Sequence, residues 1–91
     1  MKQLTELEYR NYEVRELVSE FCARTGEPEI SMLVDLLIRS VFDSPDELVD
    51  IGYPKSTAEV VARIVVERET NGIKPKPDRW LVQRCRKFLG E

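Results

Sequence analysis

The segment Gly52-Tyr53-Pro54-Lys55-Ser56-Thr57-Ala58 sets a lysine and two hydroxyls at the opening of a helical stretch. Free backbone N–H groups and a cation at a helix start are suited to holding a phosphate or another anion. A second cationic set follows in Lys74, Lys76, Arg79, Arg84, Arg86 and Lys87, with Trp80 among them. At helical spacing Leu81, Val82, Cys85, Phe88 and Leu89 share one apolar arc. Arg79, Trp80, Gln83, Arg84, Arg86 and Lys87 share the other side. An indole between guanidinium groups can stack a base or meet a sugar while the charges hold phosphates. It can equally take a cation–π contact and cover the edge of the core.

The charge is unevenly divided. Residues 1–51 carry 5 Lys/Arg against 12 Asp/Glu, and residues 52–91 carry 9 against 5, within a formal net charge of −3. The total opposes long-range attraction to nucleic acid, but charges act locally within a screening length of about 8–10 Å at moderate salt. A basic face that merely neutralises the acidic first helix is the competing reading. The two differ in whether the acidic half covers the basic half.

Several chemistries are disfavoured. The chain has no histidine and 2 cysteines, Cys22 and Cys85, which removes the usual zinc ligand sets and the commonest general base. Neither a metal, a cofactor nor catalysis is expected. Asp43, Asp46, Glu47 and Asp50 are dense in carboxylate but lack the twelve-residue calcium-loop pattern, and negative charge at a helix start is favourable in its own right. Both cysteines fall on apolar stripes and read as buried reduced thiols, with a disulfide as the alternative. The apolar run Met32–Ile38 is broken by Asp35 and Met1–Glu6 lacks a leader's apolar core, so no membrane association is expected and the cytoplasm is the default compartment.

The elements that must position these groups are marked by caps. A chain of 91 residues with 42% hydrophobic content suits one domain, 1–91, with a single core. Thr5-Glu6-Leu7-Glu8 has capping-box form and opens a helix whose apolar series is Leu7, Val14, Leu17, Val18, Phe21 and Cys22, stopping at Gly26. Tyr9 and Tyr12 flank that stripe. Pro28 to Phe42 reads as a second helix, apolar over most of its circumference, with Asp35 and Arg39 spaced for an ion pair. Such a helix is either central to the domain or part of an interface.

Ser44-Pro45-Asp46-Glu47 opens a short helix to Ile51, and Ser56-Thr57-Ala58-Glu59 repeats the capping box before a longer helix toward Asn71-Gly72. A β-hairpin competes for that last segment, because Val60, Val61, Ile64, Val65 and Val66 are β-branched and Asn71-Gly72 suits a tight turn. Ile73-Lys74-Pro75-Lys76-Pro77 is an extended connector, and Pro77 or Asp78 starts a last helix ending near Leu89-Gly90. The expected fold is an all-α, compact single-domain bundle of about five helices.

A short helix, a glycine turn and a longer helix in succession form a helix-turn-helix-like order. Gly52-Tyr53, Lys55 and Thr57-Ala58 resemble the turn of phage terminase small subunits, over about ten residues. The resemblance implies a helix-turn-helix that contacts DNA. The alternative for the same residues is an ordinary interhelical turn in which Gly52 ends one helix, Ser56 caps the next and Tyr53 packs as an apolar bracket.

These readings converge on a small non-catalytic nucleic-acid-binding accessory or regulatory protein. Lys55, Ser56 and Thr57 would meet a phosphate or groove edge and Arg63 would extend the contact. Lys74, Lys76, Arg79, Trp80, Arg84, Arg86 and Lys87 would clamp the backbone. The alternative from another class is a protein-interaction module or homodimer, using the apolar helix 30–42 and the acidic N-terminal surface.

Overall fold

Small and branched apolar residues at Ala58, Val61, Ala62 and Val65 fall on one stripe of a helix, and all four have no exposed surface. The helix that carries them is therefore covered by its neighbours. The computed structural model describes the backbone of residues 6–91 and the side chains of residues 13–91. The element order is α1 (Glu6–Thr25), α2 (Glu29–Ile38), α3 (Pro45–Asp50), α4 (Lys55–Asn71) and α5 (Arg79–Phe88). Among the described residues there is no strand, so the protein is all-α and the hairpin alternative for residues 60–73 is not adopted.

All five helices feed one core: Val18 from α1; Leu33, Val34 and Leu37 from α2; Leu48 from α3; the α4 stripe; and Leu81, Val82 and Cys85 from α5. Leu33, Leu37, Leu48 and Leu81 are at most 1% exposed. Each such burial is worth about 1.5–3 kcal/mol. The helix α4 packs against α2, α3 and α5, while α1 packs on α2. No helix of the described residues is long and apolar enough to cross a membrane.

The capping box at Thr5, the apolar Leu7 and the flanking Tyr9 and Tyr12 lie outside the residues whose side chains are described. At its other end α1 stops as expected. Gly26 has φ 75° and its N–H donates to the Cys22 carbonyl at 2.9 Å.

The second helix is shorter than its apolar pattern, ending at Ile38 rather than Phe42. Ser40 takes the left-handed conformation, with φ 64°, and Val41 N–H reaches back to the Leu36 carbonyl at 2.9 Å. This reversal is what lets Phe42 turn into the core, where it is 6% exposed. The expected Asp35–Arg39 ion pair is not made, although the Arg39 N–H donates to the Asp35 carbonyl at 2.9 Å. Asp35 instead lies 3.9 Å from Arg68 on α4, the one ion pair among the described residues.

The third and fourth helices also start differently from the capping pattern. Ser44 makes no side-chain cap, and Glu47 Oε2 accepts from the Asp43 N–H at 3.2 Å, one residue earlier than a capping box requires. Pro54, with φ −60° and ψ 147°, occupies the N-cap of α4, which makes Lys55 the first helical residue and leaves Ser56 within the first turn. The far end of α4 closes on left-handed Gly72, with Ile73 N–H donating to the Arg68 carbonyl at 2.9 Å. Both cysteines are free thiols; Cys85 is buried, and Cys22 is only half-buried where full burial was expected. Burial pushes the Cys85 thiol up to about 12.

Ser40 is a non-glycine residue at a position that glycine fills without steric cost. Ser40→Gly is expected to raise stability by about 1 kcal/mol. Urea unfolding followed by circular dichroism measures it, and a lowered midpoint would show that the serine side chain outweighs the backbone strain.

Candidate functional site

The turn between α3 and α4 is closed by its own backbone. Gly52 N–H donates to Val49 at 3.0 Å and Tyr53 N–H donates to Leu48 at 3.0 Å, with Gly52 at φ 106°. This reversal turns the Tyr53 ring into the protein, where it is 6% exposed. Its hydroxyl donates to Glu29 Oε1 at 3.2 Å, and the Arg15 guanidinium lies 5.2 Å from the ring centroid. Gly52 sits beneath the same guanidinium, so close that a Cβ there would meet Arg15 Nη1 at 2.7 Å. Desolvation first, and then the charge and hydrogen bond of Glu29, push the Tyr53 hydroxyl up to about 12, with Arg15 opposing. Tyr53 is thus a tie between α1, α2 and the turn. Neither Arg15 nor Glu29 stands out in the sequence, because each is one charged residue of an acidic, solvated half.

The start of α4 is left partly open. The Pro54 carbonyl accepts from Thr57 N–H at 3.0 Å and Ala58 N–H at 3.2 Å, and no side chain caps the helix. The amides of Lys55 and Ser56 precede these first intrahelical bonds. Thr57 lines a hollow shared with Arg15, Glu29 and Tyr53, and only Lys55 of the three turn residues faces the basic helix.

Because α5 folds back along α4, the start of α4 meets the last turns of α5. There Lys55, Arg84 and Lys87 converge with Ser44, Asp46 and Phe88 around an open cleft of about 510 Å³. Arg84 is held in place: Nη1 donates to the Asp43 carbonyl at 3.0 Å, and the guanidinium stands 4.9 Å from the Trp80 ring centroid. A cation–π contact of this kind contributes about 0.5–1 kcal/mol at an exposed site. Among the described residues no carboxylate lies within salt-bridge distance of Lys55, Arg84 or Lys87. Among the described residues the acidic α1 packs chiefly on α2, whereas α3, also from the acidic half, packs on α4 and α5.

The remaining predicted residues are placed elsewhere. Trp80, 38% exposed, is stacked by Arg84 and does not line the cleft. Ser56 and Arg63 lie on the exposed strip of α4 with Val60 and Glu67, which adds no concentrated positive charge. Lys74, Lys76 and Arg79 are exposed at the opposite end of the α4–α5 pair, and Arg86 is exposed on α5 outside the cleft lining. Ser44, Asp46 and Phe88 were not anticipated as neighbours of Lys55. Only the packing of α3 against both α4 and α5 brings them there. Among the described residues no three His, Cys, Asp or Glu side chains converge as a metal-ligand group.

The raised Tyr53 value carries a stability consequence. The unfolded hydroxyl ionises near 10 and the folded one near 12, so the contribution of this residue is complete below pH about 10 and lost as pH rises toward about 12. Tyr53→Phe is expected to flatten the fall of unfolding free energy across that window, read from urea curves at stepped alkaline pH. An unchanged slope would place the alkaline sensitivity elsewhere.

The chain matches no protein-family model, no curated protein and no solved structure, so the functional reading rests on the geometry of this cleft.

Proposed function

We propose that the protein is a small non-catalytic nucleic-acid-binding factor that holds the phosphate backbone in the cleft between α3, the start of α4 and the end of α5. One observation carries this reading: Lys55, at the start of α4, converges on a single cleft with Arg84 and Lys87 from the end of α5. Arg84 is already positioned by Trp80 and the Asp43 carbonyl, so it loses little side-chain freedom on meeting a phosphate. Asp46 lines the cleft as well and disfavours a highly charged ligand pressed deep into it, which favours a backbone passing across the mouth.

The helix-turn-helix resemblance has a narrower role in this reading. Packing against α2, α3 and α5 leaves α4 an exposed strip of Ser56, Val60, Arg63 and Glu67. Such a strip is poorly charged for entering a groove. The affinity therefore comes from the N-terminal end of α4 and from α5, with little base readout.

Fluorescence anisotropy of labelled double- and single-stranded oligonucleotides over a salt series tests this. Three phosphate contacts predict a log–log salt slope of roughly −2.7 on duplex DNA. The double variant Lys55→Glu/Lys87→Glu is expected to lose binding while retaining its helicity. Lys74→Glu/Lys76→Glu, at the other end of the helix pair, is expected to bind nearly as the parent does. No binding at low salt, or equal affinity in the cleft variant, overturns the proposal.

A further inference from the structure

A second surface lies on α1 and α2, on a different pair of helices from the basic cleft. Val14, Leu17, Phe21, Met32 and Leu36, with the cation of Arg24 beside them, line an open trough of about 330 Å³ between these two helices. Leu17 is 63% exposed, the highest value among the large apolar residues whose side chains are described. At helical spacing Glu13, Glu16 and Glu20 run along the solvent side of α1 next to Leu17, and all three are exposed. The trough thus has an apolar floor shared with α2, and beside it on α1 a row of three carboxylates that ends at the Arg24 cation.

We infer that this trough docks an amphipathic helix of a partner protein, one that presents Leu, Met or Phe at i, i+3/i+4 spacing and Lys or Arg along the flank that meets α1. The apolar floor supplies the anchor pockets and the row of carboxylates selects the cationic flank.

The test uses a labelled designed peptide of ~16 residues, long enough for four helical turns, with a leucine face and a lysine flank. Its counterpart carries glutamate on that flank. The lysine peptide is expected to bind at least about ten-fold more tightly than the glutamate peptide. Leu17→Arg is expected to abolish binding with an unchanged unfolding midpoint, since Leu17 is exposed and its replacement leaves no cavity. Lys55→Glu/Lys87→Glu is expected to bind the peptide as the parent does, which separates this surface from the cleft. Absence of peptide binding, or equal binding of both peptides, overturns the inference. So does a dimer in sedimentation equilibrium that Leu17→Arg dissolves, because the occupant would then be a second copy.

Discussion

The complete burial of the α4 stripe is the constraint on which the rest of the structure depends. Ala58, Val61, Ala62 and Val65 have no exposed surface, and the two alanines let neighbouring backbones approach closely. Three helices gather around this one, and their positions follow from it. The fold-back of α5 along α4 sets Lys55 beside Arg84 and Lys87, and the wedge of α3 against both brings Ser44 and Asp46 to the same place. The cationic cleft is thus a product of core packing: no single segment of the chain contains it.

The uneven charge of the sequence becomes a spatial separation only for α1, since α3 of the acidic half packs on α4 and α5 and brings Asp46 to the basic cleft. The acidic helix α1 lies on α2, and the basic helix α5 lies on α4 and α3. One tie crosses from the acidic half to the turn that begins the basic half, where Arg15 covers Gly52 and the Tyr53 ring while Glu29 takes the Tyr53 hydroxyl. These contacts turn inward a tyrosine that would otherwise stand at the mouth of a candidate binding turn.

The order and type of the helices were legible because glycines, prolines and apolar stripes act locally. Gly26 and Gly72 stop α1 and α4 where their sequence signals stand. The end of α2 was not legible, since a serine in the left-handed conformation carries no signal of its own and the apolar pattern continues to Phe42. The start of α4 was misplaced by two residues, because Pro54 has the extended backbone of an N-cap while Ser56 has only the composition of one. For the site, the basic character of α5 and of Lys55 was visible, but which cations meet was not. Asp35 with Arg68, Arg84 with the Asp43 carbonyl, and Tyr53 with Glu29 are long-range pairings between common residue types, and no spacing rule selects them.

Arg84 holds the α2–α3 loop through a backbone carbonyl, and that loop carries the strained Ser40. A guanidinium has several donors, so a ligand can either share Arg84 with the loop or take it away. If it takes Arg84 away, the loop loses a tether at the end of a segment that already stores backbone strain. The cleft would then be a latch as well as a surface, with its occupancy felt in the linker that orients α3.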